Sequence, residues 1–222
     1  MSRNKIALSF ALAGILGAST ALAETSGVFV GLQGNTNFAS TINKEESENS
    51  KNKTTITQNQ IGILGGYKFF FMPEFGVRAY GVLNYQNSQN KQDDSKTTTN
   101  ILGVNANVDA LYNFISTESL DFGLFAGVSL GYASNAEKTE YPANDYSQGN
   151  TTKRTISGFD AGINFGLRAN VAQNHGLELY SRFGLTEQKK DETEKDYDGT
   201  EYKTTYKNKQ PYTIGLRYTY SF

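Results

Sequence analysis

Hydrophobic and polar residues alternate with a period of two along most of the chain after residue 27. The clearest case runs from Leu102 to Phe114, where apolar residues hold every second position and Gly, Asn or Asp holds most positions between them. This period places successive side chains on opposite faces of a β-strand. Similar segments begin near residues 28, 60, 77, 102, 120, 159, 177 and 212. The pattern therefore predicts eight strands, each with one apolar face.

The links between these segments alternate in length. Short links lie at residues 71–74, 115–119 and 171–175, and long links lie at residues 41–55, 86–98, 134–155 and 186–205. Strand ends that are joined by a few residues must be antiparallel neighbours. The sequence predicts an all-β fold, an eight-stranded antiparallel up-and-down barrel that spans a bacterial outer membrane. In such barrels the short turns and both termini are periplasmic and the long loops are extracellular.

Alternation alone does not decide which face points outward, because a soluble barrel that carries an apolar ligand also alternates. Three features favour the membrane barrel. The less apolar face carries Gly, Asn and charges, which suits the narrow lumen of eight strands. Aromatic residues gather at the strand ends, as at lipid interfaces. Each alternating run also approaches the ~9–11 residues that a tilted strand needs to cross hydrocarbon.

The first 23 residues have the features of a cleavable signal peptide. Arg3 and Lys5 give a positive start, an apolar run from Ile6 to Leu16 follows, and Ala21 and Ala23 form a small-x-small cleavage site. The apolar run is shorter than the ~20 residues that a spanning helix needs. We expect cleavage after Ala23, with residues 1–23 removed and a mature barrel of residues 24–222 that starts at Glu24.

Composition removes several classes of function. The chain has no Cys and one His, so a disulfide scaffold, thiol catalysis and a zinc–cysteine site are excluded. Its 21 Lys and Arg residues nearly balance its 22 Asp and Glu residues, which gives no overall field for a polyanion. We therefore expect no nucleic-acid partner, no cofactor and no metal site.

Charged residues recur on the face that is predicted to line the lumen. Charges in a narrow, poorly hydrated space need partners of opposite sign. We expect an ion-pair network that fixes the strand register and blocks flow, with a narrow or gated conductance as the alternative. The predicted network consists of Lys68, Arg78, Asp109, Asp121, Asp160, Arg168, Glu178, Arg182 and Arg217.

His175 is the only candidate for histidine-based catalysis. It lies in a predicted periplasmic turn, whereas barrel enzymes act near the outer rim, so we expect no catalytic residues. The last long link is rich in Asp and Glu, but interleaved lysines dilute its charge and no calcium-loop spacing is present. A solvated loop is the preferred interpretation.

Four short segments carry a resemblance to known proteins: the runs at residues 28–32, 109–114, 166–168 and 212–222. They resemble Helicobacter-type outer-membrane proteins within the broader OmpA/OmpX-like barrel class. The resemblance implies that the chain end is an assembly signal, in which Leu216, Tyr218, Tyr220 and Phe222 are recognised by the barrel-assembly machinery. The long adhesin extensions of larger family members are missing, so no specific receptor role carries over.

These observations lead to one functional expectation and two alternatives. We expect a monomeric, non-enzymatic structural protein that contacts outer-membrane lipid and lipopolysaccharide and presents its polar loops to an extracellular partner. A small or gated pore for ions or small solutes is the first alternative. A lipid-modifying enzyme of the outer membrane is the weaker one.

Overall fold

A computed structural model describes residues 24–45, 50–92, 95–117, 119–142, 149–195 and 201–222. The predicted signal peptide, including Ala21 and Ala23, lies outside these residues. Its cleavage and the boundary at Glu24 therefore stay predictions.

Nine antiparallel strands make up the described fold. They are β1 (Gly27–Glu45), β2 (Ser50–Phe70), β3 (Phe75–Gln92), β4 (Ser95–Ser116), β5 (Leu120–Tyr141), β6 (Asn150–Val171), β7 (His175–Gly184), β8 (Gln188–Lys195) and β9 (Glu201–Ser221). The sheet order is β1-β2-β3-β4-β5-β6-β7-β9-β8, and β1 also pairs with β9. This last pairing brings the first and last strands together, and the Phe222 amide donates to the Val28 carbonyl at 3.0 Å. Eight strands thus form a ring, and the predicted antiparallel up-and-down order is confirmed.

The prediction that the long links are loops is wrong for most of their length. In the first three links both flanking strands continue far into the link. In the fourth, β7 ends at Gly184, and the link contains the additional strand β8, which pairs with β9 from Gln188↔Asn208 to Lys195↔Glu201. The physical reason is that antiparallel hairpins extend wherever both arms satisfy each other's backbone groups. Repeated threonines in these links also favour extended structure. The polar links are therefore largely two-stranded extensions of the barrel wall.

The short links are tight turns. The described turns cover residues 71–74 and 172–174, and the link from β4 to β5 spans residues 117–119. His175 is the first residue of β7 and pairs with Val171, so it lies beside the turn in which it was predicted. We refer to this end of the barrel as the turn side and to the opposite end as the loop side.

The apolar face of each ring strand points outward. Val104, Leu130 and Leu216 are typical, with 55%, 55% and 68% of their surface exposed. Their inward neighbours are mostly polar and buried, as in β4, where Asn105, Asn107 and Asp109 alternate with exposed residues. Among the described residues no helix is long and apolar enough to cross a membrane. An outer belt that is apolar while the interior is polar is the pattern of a barrel in lipid.

Candidate functional site: the charged lumen

The strand register turns the charged residues of the sequence into a buried cluster. Eight of the nine predicted network residues are buried inside the ring, and Asp160 is partly buried. They form three tiers along the bore: a turn-side tier, a middle tier and a loop-side tier. Alternation explains why these side chains lie inside the ring: each residue is an odd number of positions from the lipid-facing residues of its strand, so its side chain points to the opposite face.

The turn-side tier is organised around Glu24, which precedes β1. Its carboxylate accepts from Lys68 at 2.7 Å and from both terminal nitrogens of Arg168 at 2.6 and 2.7 Å. Asn113 donates to the same carboxylate at 3.1 Å and accepts from Arg168 at 2.9 Å. The two carboxylate oxygens are thus surrounded by donors from β2, β4 and β6.

Sequence reasoning did not place Glu24 in the network. The predicted set contains five cations but four anions, and this excess of one cation was the signal in the sequence that an anion was missing. Glu24 supplies that fifth anion. Burial alone would raise the pKa of Glu24, but the charges and hydrogen bonds of Arg168 and Lys68 outweigh it and lower the pKa from 4.5 to about 2. Glu24 is therefore ionised at neutral pH.

Glu178 is the centre of the middle tier. It forms ion pairs with Arg78 and with Arg217, the latter at 3.0 Å. Arg78 also contacts Asp109 at 2.9 Å, so two guanidinium groups and two carboxylates alternate across the bore. Since these side chains come from β3, β4, β7 and β9, the tier ties together opposite walls of the ring.

Aromatic side chains complete the middle tier. The Tyr80 hydroxyl donates to Asp109 at 2.9 Å and accepts from Arg217 at 3.2 Å. The guanidinium of Arg78 lies 4.6 Å from the ring centre of Phe125, and that of Arg217 lies 4.6 Å from the ring centre of Tyr180. These cation–π contacts fill space that the ion pairs leave and compensate part of the lost hydration.

The loop-side tier is simpler. Arg182 binds Asp160 at 2.8 Å and donates to the Ser129 hydroxyl at 2.9 Å. Asn105 donates to the other Asp160 oxygen at 2.8 Å. A Cβ at Gly162 would lie 2.6 Å from the Arg182 guanidinium carbon, so this glycine provides the room that Arg182 occupies.

Asp121 lies at the turn side but takes a different role from the one expected for an ion-pair residue. Its described partners are the hydroxyl of Ser116 and the amide of Asn170, the latter at 3.5 Å, rather than a cation. The carboxylate is therefore held by neutral donors, close to the charged group around Glu24.

Towards the loop side, amides replace charges. Six Asn and Gln side chains among the described residues have buried amide atoms without a hydrogen-bond partner: Asn35, Gln58, Gln86, Asn135, Asn164 and Asn208. Five of these lie above the middle tier, and Asn164 lies beside it. Two cavities in this region, lined by residues such as Asn37, Asp160 and Gln210, have volumes of about 30 and 20 Å³. One water occupies ~30 Å³ in the liquid, so each cavity has room for about one molecule.

The other predicted site residues lie outside the lumen. Leu216, Tyr218 and Tyr220 point to the lipid from β9, and Phe222 follows that strand with 73% of its surface exposed. The exposed His175 contacts the Tyr218 hydroxyl through Nδ1 at 2.8 Å, on the outer wall at the turn side. Within the described part of the chain, no group of three or more His, Cys, Asp or Glu residues is arranged to hold a metal ion.

Comparison with known proteins agrees with the resemblance found in the sequence. The profile of a family described as Helicobacter outer membrane protein matches residues 62–222, which is most of the chain. That range includes six of the eight ring strands in full and part of β2. Comparison with curated protein sequences gives no match.

Several solved structures are similar at low identity. The attachment invasion locus protein Ail of Yersinia pestis is 12% identical over 89% of this chain and 99% of its own, with a TM-score of 0.37. Neisserial surface protein A is 14% identical over 90% of this chain and 100% of its own, with a TM-score of 0.36. The outer membrane protease OmpT of Escherichia coli is 11% identical over 94% of this chain and 100% of its own, with a TM-score of 0.34. Likeness at this level carries no argument about activity, and the fold described above rests on the strand pairing.

Proposed function

Because the chain belongs to the family of Helicobacter outer membrane proteins and is an outer-membrane β-barrel, we propose that it is a structural, surface-presenting protein whose lumen is closed by ion pairs. Its termini and short turns face the periplasm, and its long hairpins face the exterior. It works as a monomer, and its terminal segment from Leu216 to Phe222 is recognised by the barrel-assembly machinery. Outer-membrane lipid and lipopolysaccharide surround its apolar wall.

The single observation that carries this proposal is the continuous crossing of the bore by paired side chains. Glu24, Glu178 and Asp160 each bind at least one cation from another strand, at three successive heights. An eight-stranded ring has an interior that side chains just fill. The cavities of about 30 and 20 Å³ that Asp160 lines at the loop-side tier have room for isolated waters.

The hairpin extensions support the surface-presenting part of the proposal. β5 and β6 stay paired from Leu120↔Val171 to Tyr141↔Asn150, far beyond the apolar belt. Ion pairs such as Lys207–Glu187 at 3.1 Å and Arg154–Glu192 at 3.5 Å hold β8 against its neighbours. Tyr141, with half of its surface exposed, offers contact area at the end of one hairpin. Hairpins whose arms are already paired are suited to binding a partner, because less backbone has to be ordered on binding.

The absence of enzymatic activity also belongs to the proposal. A general base must reach the proton that it removes. The imidazole of His175 lies on the lipid-facing wall at the turn side and contacts Tyr218. Replacement of His175 by Ala is therefore expected to leave the function of the protein unchanged.

Planar-bilayer recording tests the closed lumen directly. Protein whose folding has been confirmed by heat-modifiable migration in SDS gels is expected to add no resolved current steps. A variant with Arg168, Arg78, Arg217 and Arg182 all changed to Ala, which removes the guanidinium groups from all three tiers, serves as the control and should conduct more than the parent. Regular ohmic steps from the parent protein would favour the small-pore alternative and overturn the closed lumen.

A further inference from the structure

The outer wall has a groove that the closed lumen does not explain. It follows a row of register partners that crosses five strands: Tyr85, Ile61, Gly34, Leu216 and Leu179. The groove has a volume of about 780 Å³, within the ~300–1,000 Å³ range of ligand pockets. Gly34 lies in the middle of this row between large apolar neighbours, so its missing side chain forms the floor.

The glycine is not required by the protein itself. A Cβ at Gly34 would meet no atom within 4 Å, and its backbone does not have a positive φ. By contrast, a Cβ at the inward-facing Gly127 would lie 2.1 Å from the Val108 carbonyl oxygen. Glycine is disfavoured in a strand unless something approaches closely. The open space at Gly34 can therefore accept a group from outside the chain.

The groove is apolar on one edge and polar on the other. On the loop side of Gly34, the next outward row contains Thr36 and Asn59, whose side chains share a hydrogen bond of 3.0 Å. Asn87 lines the same edge, and no lining residue is charged. A ligand that is complementary to both edges has an apolar chain for the apolar edge. It also has uncharged hydrogen-bonding groups, at the head-group end of that chain, for the polar edge.

Strand pairing opens at the same height. The register of β2 with β3 ends at Ile61↔Tyr85, although both strands continue towards the loop side. Tyr85, at the β3 end of this row, is one of the aromatic residues that mark the lipid interface. At β1 and β9 the exposed Phe38 and its partner Tyr212 lie four residues beyond Gly34, so the polar edge of the groove there lies in the upper part of the apolar belt, just below the head groups. A cation lies farther along the wall: Lys209 is exposed and is paired with Ser40, four residues beyond Thr36 on β1.

We propose that this groove binds one acyl chain of lipopolysaccharide. The chain would lie over Gly34 between Ile61 and Leu216, and its amide or ester linkage would contact Thr36 and Asn59. Lys209, ~14 Å beyond Thr36 at ~3.4 Å per residue, would face a phosphate of the lipid A head group. The proposal deepens the lipid contact of the proposed function and rests on the outward orientation of the loops given there.

Native mass spectrometry of protein released from nanodiscs tests the site. The nanodiscs contain phosphatidylethanolamine alone or with added lipid A. Gly34→Leu fills the groove and is expected to lower the fraction of protein with bound lipid A about tenfold, because several methylene contacts are lost. Gly81→Leu is the matched control, since Gly81 is also lipid-facing with no atom within 4 Å of an added Cβ. It should stay within about twofold of the parent, because the groove at Gly81 lacks the polar edge.

Two further variants separate the head group from the chain. Lys209→Gln should weaken binding of lipid A and leave binding of phosphatidylethanolamine unchanged. Thr36→Val keeps the shape of the wall and should also lower lipid A binding, so the site stays testable if Gly34→Leu does not fold. Equal losses in Gly34→Leu and Gly81→Leu would overturn the proposal, as would equal binding of the two lipids by the parent. A protein dimer that is lost in Gly34→Leu would assign the groove to a second copy instead. None of these results depends on the current measured in bilayers, so the groove and the closed lumen fail separately.

Discussion

The turn-side and loop-side parts of the lumen bury polar groups in different ways. On the turn side and in the middle, full charges form pairs, as around Glu24 and Glu178. On the loop side, neutral amides dominate apart from the single Arg182–Asp160 pair, and those of Asn35 and Gln86 have both polar atoms buried without a partner. A buried charge without a partner costs far more free energy than a buried amide, so pairing is stricter for the charges. The comparison indicates that stability is concentrated in the tiers of the closed ring, whereas the loop side tolerates loose polar packing.

The largest effect is expected from removing the shared anion of the middle tier. Glu178→Ala leaves Arg78 and Arg217 buried without their common partner, and breaking such a pair costs about 3–5 kcal/mol. The free energy of unfolding, measured in lipid vesicles by circular dichroism against urea, should fall by this amount. Since the chain contains no Trp, circular dichroism is preferable to intrinsic tryptophan fluorescence. A loss below about 1 kcal/mol, typical of exposed ion pairs, would contradict the assignment of stability to this tier.

A smaller loss is expected for Arg217→Ala. Glu178 keeps its ion pair with Arg78 in this variant, so one charged partner remains. The free energy of unfolding should decrease less than in Glu178→Ala. Bilayer current should not rise, because the turn-side tier and the rest of the middle tier still cross the bore. Large currents in this single variant would show that Arg217 is a gate rather than a structural residue.

Acid should weaken the turn-side tier in a defined pH range. The pKa of Glu24 is about 2 in the folded protein and 4.5 when free of its partners, so the folded state favours the ionised carboxylate. Its contribution to stability is present above pH 4.5 and is lost as the pH falls towards 2. As the pH falls over this range, the unfolding temperature of the parent should therefore decrease more than that of Glu24→Gln. The unfolding temperature is measured from the change in gel mobility after heating. Identical pH profiles for the two proteins would remove Glu24 from the network.

The smallest effect is expected on the loop side. Gln86→Leu replaces a buried amide that has no partner with an apolar group of similar size, which is nearly neutral or stabilising. The free energy of unfolding should change by less than about 1 kcal/mol. A loss as large as that of Glu178→Ala would mean that the loop side depends on its buried polar groups as strongly as the middle tier does, which would contradict the proposed difference between the two parts of the lumen.

Much of the fold and of the lumen could be predicted from local sequence. Strict alternation, as between Leu102 and Phe114, identifies the strand and separates its faces, because side-chain direction follows directly from backbone geometry. The same alternation places Arg78 and Glu178 on the inner face. Alternation does not show that Arg78 and Glu178 contact each other, because the two residues are 100 positions apart and their contact depends on ring closure.

Other features depended on context that local patterns do not contain. The polar links were predicted as loops because they lack an apolar face, yet pairing with the opposite arm makes them strands. Glu24 was identified as the start of the mature chain, and only the folded ring brings Lys68 and Arg168 to it. The turn at Ala172 and Gln173 uses positive φ angles of 51° and 65° without a glycine to signal them.

The sequence by itself determined the period, the direction of each side chain and the alternation of short and long links. These are local properties, set by the backbone of a single strand and by the nearest turn. Only the tertiary structure decided which charges are partners, that Glu24 balances them, and that Gly34 opens a groove between Ile61 and Leu216. These depend on the register between strands that are distant in the chain, and register is set when the ring closes and every backbone group finds its neighbour.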